Sequence, residues 1–264
     1  MTTALPTPLI PTRRPALGVY GMSGYPSPAA GVETLLAYAA AGADVLEVGI
    51  PIGSDAYPRL DGHDIATAHR QARGGTEGAL STVERLSAAT DVPIVAMAYW
   101  ATARTWGPRQ LARDLAAAGA RGALLVSVPP ELVSIWTAVG LDAGLHTPLL
   151  TNHGGSPSAR VRTAQTASGF VYVPAAASTG HRGPIQLGRL ATEVEQARKA
   201  APDLPIATGV GLSTPTLAAT AVRRAEVDAV IIGSPLMRAA ARVGLNGAAQ
   251  LVADYAHAIR EAAQ

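Results

Sequence analysis

The stretch ADVLEVGIPIGSDAYPRLDG, residues 43–62, starts as an apolar run and then departs from that pattern twice. Val45, Leu46, Val48 and Ile50 read as a buried β-strand. Glu47 stands among them, and Asp61 follows a segment punctuated by Gly53 and Pro58. Burying an ionised carboxylate costs several kcal/mol unless it is paired or neutralised. Strand side chains alternate between faces, so Glu47 and Gly49 share one face while Leu46, Val48 and Ile50 share the other. What the Glu47 face looks onto depends on the rest of the chain.

Comparable runs recur at residues 17–22, 93–99, 122–128, 147–152, 170–174, 205–211 and 227–233. With 43–50 they make eight, spaced roughly 25 to 30 residues apart, each followed by an Ala/Leu-rich helical stretch. Continuous apolar strands alternating with helices predict a parallel sheet covered on both faces. Eight units in 264 residues predict one closed (β/α)8 TIM barrel, an α/β fold, rather than an open doubly wound sheet. Residues 31–41 carry apolar side chains at helical spacing and stop at Gly42. Ser213-Thr214-Pro215 supplies an N-cap followed by a first-turn proline. No linker or composition shift divides the chain, so the expected organisation is a Pro-rich arm, residues 1–15, and a catalytic barrel, residues 16–264.

Composition excludes several chemistries. There is no cysteine, which rules out disulfides, Cys-ligated zinc, iron–sulfur clusters and a thiol nucleophile. A net charge of +2 with scattered arginines gives no nucleic-acid footprint. The arm contains four prolines up to Pro15 and no long apolar run. It reads as neither signal peptide nor membrane span, but as a loose arm on a cytoplasmic protein. Six scattered histidines show no metal-ligand spacing. His63 and His69 are expected on the surface of a helix after Asp61, and Trp100 and Trp106 in packing or at the mouth.

In a barrel of this kind, chemistry gathers where strands end. Glu47 is then directed into the barrel near its C-terminal mouth, where apolar surroundings raise a carboxyl pKa towards neutrality. A structural ion pair is the alternative for Glu47, and a turn or cap role the alternative for Asp61. Gly209-Val-Gly211-Leu-Ser213 follows the seventh run, and Gly233-Ser234-Pro235 follows the eighth and opens a helix. Glycines and a helix N-terminus offer backbone donors to an anion, so these loops read as a phosphate cradle, with Ser178-Thr179-Gly180 as a third element. Each alone is also an ordinary βα turn.

The segments GYPSP, GADVLEVGIP, VPIVAMAYW, GALLVSVPPE, SGFVYV, STG, TGVGLSTP and IIGSPLMRA, in this order, resemble the α subunit of tryptophan synthase, the indole-3-glycerol-phosphate lyase. The resemblance implies retro-aldol cleavage of indole-3-glycerol phosphate to indole and glyceraldehyde 3-phosphate, without metal or organic cofactor. It assigns acid–base work to Glu47 and the loop aspartate to Asp61. Thr179 would sit in the sixth loop, Gly180, Gly211, Gly233 and Ser234 would bind phosphate, and Tyr20, Tyr99 and Tyr172 would surround the indole.

The departures are specific. The family pattern PFSDPLADGP is here the longer PIGSDAYPRLDGHD, in the loop that ordinarily meets the partner β subunit. Ala101 stands where an asparagine is expected, Ser127 lies near an absent aspartate, and Val210 replaces an aromatic. Asn152-His153-Gly154-Gly155 is more polar than its counterparts, and His153 reads as a substrate contact, a base or a loop hydrogen-bonder. Two alternatives follow: a stand-alone lyase acting on a modified indole or other phosphorylated substrate in specialised metabolism, or a non-catalytic barrel that binds a phosphorylated ligand and modulates a partner. A binding module has no need of Glu47, which favours the lyase.

Overall fold

The computed structural model describes residues 8–11, 15–52, 62–153 and 155–263. All eight expected strands are present: β1 (Ala16–Met22), β2 (Val45–Gly49), β3 (Ile94–Tyr99), β4 (Gly122–Val126), β5 (Leu149–Leu150), β6 (Val171–Pro174), β7 (Ile206–Gly209) and β8 (Ala229–Ile232). They pair in parallel in the order β4-β3-β2-β1-β8-β7-β6-β5. The ring closes between β4 and β5 through the Gly122–His146 bridge, where the Ala123 N–H donates to the His146 carbonyl at 2.9 Å. The fold is a (β/α)8 barrel.

Among the described residues ten α-helices surround it: α1 (Pro28–Ala40), α2 (His63–Gln71), α3 (Gly75–Ala89), α4 (Trp100–Trp106), α5 (Pro108–Ala117), α6 (Val133–Asp142), α7 (Pro157–Thr166), α8 (Leu187–Ala200), α9 (Pro215–Ala225) and α10 (Ser234–Glu261). Local chemistry accounts for their starts. Ser27, Ser156 and Thr214 each accept a backbone N–H at the N-cap, and each precedes a proline that occupies a position needing no donor. The described residues contain no helix long and apolar enough to cross a membrane.

Strand alternation sorts the core into two layers. Leu46, Val48 and Ile50 join the layer between strands and helices. Val45, Val95, Leu124, Tyr172, Ala207 and Ile231 fill the barrel interior. Burying each such aliphatic side chain contributes about 1.5–3 kcal/mol. The arm departs from its expected looseness at two residues. Leu9 and Ile10 are fully buried in the interior layer, where Leu9 approaches Gly122 and Gly169 at the N-terminal end of the barrel. Two aliphatic side chains there complete a core that the strands alone leave open. Residues 1–7 and 12–14 lie outside the described residues.

Candidate active site

The interior layer stops short of the C-terminal mouth and leaves a cavity of about 390 Å³. Tyr20, Glu47, Tyr99 and Tyr172 line it from β1, β2, β3 and β6, and Leu124, Val126, Leu150 and Ile231 supply apolar wall. Thr179, Gly180, Gly211, Gly233 and Ser234 border the same space. Nine of the ten expected site residues therefore meet around one cavity. The tenth, Asp61, lies outside the described residues, as does the rest of 53–61.

Glu47 owes its place to register. Tyr20 pairs with Glu47 across β1 and β2, and Glu47 with Val95 across β2 and β3, so all three share the inward face. Gly49 is required two residues on, because a β-carbon there would collide with the Tyr20 hydroxyl. Glu47 is 7% exposed, and burial raises its pKa from 4.5 to about 7. Among the described residues no cation pairs with it. Tyr172 is its electrostatic neighbour: burial, and then the Glu47 charge, push the phenol pKa up, while a hydrogen bond with the Val210 backbone opposes the shift. The result is a carboxyl that either holds or releases a proton near neutral pH.

The other end of the cavity is built from turns. Gly211 has φ +99°, a conformation that favours glycine, and it follows Val210 at φ +29°. A β-branched residue at positive φ is strained, and such strain persists only where surrounding structure enforces it. Gly233 approaches Tyr20 so closely that a β-carbon would lie 3.2 Å from the tyrosine side chain. Ser234 begins α10, with Pro235 in its first turn. Backbone donors and the helix dipole make this a favourable place for an anion.

Several residues escaped sequence reasoning. His69, expected on the surface, is 4% exposed, and its Nδ1 accepts the Ile52 N–H at 3.1 Å. Burial lowers its pKa to about 4. Its position was legible: Ile65, Ala68 and His69 fall at helical spacing on the buried face of α2. The Gly62 N–H donates to Thr179 Oγ1 at 2.7 Å, joining the start of α2 to the sixth loop. Arg238 lines the cavity and pairs with Asp64 at 2.5 Å, a contact spanning 174 residues that no local pattern announces. Behind the rim, Glu193 receives Arg189 at 2.6 Å and lies 3.6 Å from Arg160. Those arginines also donate to the carbonyls of Ala175 and Gly155, on the sixth and fifth loops.

His153 is exposed at the rim. Its pKa is lowered by desolvation first and then by Arg189, with Glu193 opposing and His181 adding to the shift. Trp106 is packing: its Nε1 donates to Asp114 at 2.8 Å, and Trp100 also lies against the outer core. His63 is exposed, as expected. No cluster of His, Asp or Glu among the described residues is arranged to hold a metal ion.

Comparison with known proteins gives a consistent result. The family profile described as "Tryptophan synthase alpha chain" matches residues 9–264. The tryptophan synthase alpha chain of Streptomyces coelicolor is 33% identical over 256 residues, covering 94% of this chain and 92% of its own. That of Nocardia farcinica is 33% identical with the same coverage. Tryptophan synthase of Mycobacterium tuberculosis superposes with a TM-score of 0.84 at 29% identity, over 94% of this chain and 93% of that one. Tryptophan synthase subunit alpha of Legionella pneumophila gives 0.81 at 26% identity, over 94% of both chains.

Proposed function

The chain belongs to the tryptophan synthase alpha chain family, and from that premise we propose which groups carry out its chemistry. It is a lyase that cleaves indole-3-glycerol phosphate to indole and glyceraldehyde 3-phosphate. The catalytic unit we assign is residues 16–264, beginning with β1. Glu47 gives a proton to the ring carbon bearing the side chain and takes one from the adjacent side-chain hydroxyl. The bond between ring and side chain then breaks, its electron pair restores the aromatic ring, and the hydroxyl carbon becomes the aldehyde. One proton enters and one leaves, so the carboxyl ends as it began.

The observation that carries this reading is a carboxyl that pairs with no cation among the described residues, its pKa raised by burial to about 7, inside a cavity lined by three tyrosines and bordered by glycine turns. Gly180, Gly211, Gly233 and Ser234 anchor the phosphate, and Thr179 positions the sixth loop. Binding energy at the phosphate thereby aligns the scissile bond. Tyr20, Tyr99 and Tyr172 enclose the indole, and Asp61 stabilises charge at the ring nitrogen. The family works with a β subunit. The longer segment between Pro51 and Asp61 leads us to assign weak association with a typical β subunit and an active stand-alone chain in the cytoplasm.

The test is direct. The purified chain, alone, is incubated with indole-3-glycerol phosphate and indole release is followed. Turnover that appears only on addition of a β subunit would remove the stand-alone assignment, and none under either condition would remove the lyase reading. A second reading, preference for a modified indole, is favoured by Val210 at the cavity wall in place of an aromatic side chain. It predicts a higher kcat/KM for a ring-substituted substrate than for the parent compound.

A further inference from the structure

Helix α2 holds the chain where it leaves β2. The Ile50 N–H donates to the Met97 carbonyl at 2.8 Å, Pro51 has no N–H, and Ile52 carries the next backbone donor. Ile52 is buried, so its N–H needs an acceptor from the protein. His69 Nδ1 provides it at 3.1 Å. Burial keeps this imidazole neutral, and with its proton on Nε2 the ring presents a lone pair to Ile52. The post itself is fixed. Asp64, in the first turn of α2, pairs with Arg238 of α10, and the Gly62 N–H is held by Thr179. The His69 ring also lies 5.8 Å from the ring of Tyr99, which lines the cavity.

We propose that His69 is a positioning residue for the cleavage reaction: by accepting the Ile52 N–H and packing on Tyr99, it fixes the backbone beyond Glu47 and the adjoining cavity wall on β3. This rests on the lyase reading. Its effect falls on turnover more than on phosphate anchoring, because Gly180, Gly211, Gly233 and Ser234 lie on other loops. Misplacement by an ångström away from the reacting atoms is enough to cost about 100-fold in rate.

Two variants separate this role from simple packing. His69→Leu keeps bulk but removes the acceptor. His69→Asn is smaller, yet its Oδ1 occupies about the place of Nδ1. We expect His69→Leu to lower kcat about 10- to 100-fold with KM changed less than about threefold. Exchange of the Ile52 amide, followed by NMR, should accelerate by about tenfold or more. His69→Asn should return both readouts to within about threefold of the parent. The proposal is overturned by parent-like kcat or unchanged Ile52 exchange in His69→Leu, or by a His69→Asn protein as slow as His69→Leu. If His69→Leu does not fold, His69→Asn decides: parent-like turnover and Ile52 protection support the assignment, and loss of either overturns it. Should the parent release no indole either alone or with a β subunit, the lyase reading falls, and Ile52 exchange in the three proteins still decides whether His69 is the anchor.

Discussion

Glu47 and Glu193 are the same residue, equally sealed from water at 7% and 4% exposure, in opposite electrostatic settings. Glu193 lies in the helical layer with Arg189 at 2.6 Å and Arg160 at 3.6 Å. Glu47 lies inside the barrel mouth among tyrosines and aliphatic side chains, and no cation among the described residues pairs with it. Burial therefore does not define a role. A carboxylate matched by guanidinium groups braces structure. A carboxyl without that match exchanges its proton near neutrality and is fit for chemistry.

The sharpest break of this comparison is Glu47→Gln. The amide keeps the shape and loses the exchangeable proton, so kcat should fall about 10²–10⁴-fold with the fold intact. More than half of the parental rate of indole release would reassign Glu47 to structure.

Next in size is Glu193→Ala, which leaves two guanidinium groups behind a rim they now hold without their anion. Breaking a buried pair in this way costs about 3–5 kcal/mol, to be read by urea denaturation. A loss under about 1 kcal/mol would show that Glu193 is not the brace that its contacts describe.

The pH dependence of stability sets Glu47 against His69. The folded protein holds the Glu47 proton more tightly than the unfolded chain, with a pKa of about 7 against 4.5. That contribution is present below about pH 4.5 and is lost as pH rises to 7. His69 is the reverse, at about 4 against 6.5: its contribution is present above pH 6.5 and is lost as pH falls to 4. Each amounts to roughly 3 kcal/mol at its limit. The stability of Glu47→Gln relative to the parent should therefore increase from pH 4.5 to 7, and that of His69→Asn should increase from pH 6.5 down to 4. Urea midpoints for the three proteins between pH 4 and 8 test this, and parallel curves would contradict both burials.

The smallest effect expected is at the anion end. Gly233→Asp adds a like charge and a side chain against Tyr20, and should raise KM about tenfold, the equivalent of one charge-assisted hydrogen bond. Unchanged affinity for glycerol phosphate by calorimetry would move the phosphate away from this turn.

The sequence alone determined the repeated β/α units, the inward face of Glu47 and the glycine turns beside the cavity. Each is written within a few residues: an apolar run specifies a strand, alternation specifies its face, and Gly-Ser-Pro after a strand specifies a helix start with free donors. Tertiary structure decided what depends on partners far along the chain. The periodicity of α2 placed His69 on its apolar face, but only folding brought Ile52 to its nitrogen. Nothing near Leu9 or Ile10 marks them as core, because the space they fill exists only after the ring has closed. Glu193 and Glu47 look alike as letters. Folding gives one of them two arginines and leaves the other a cavity, since the charge a side chain meets is set by where the remaining strands and helices come to rest.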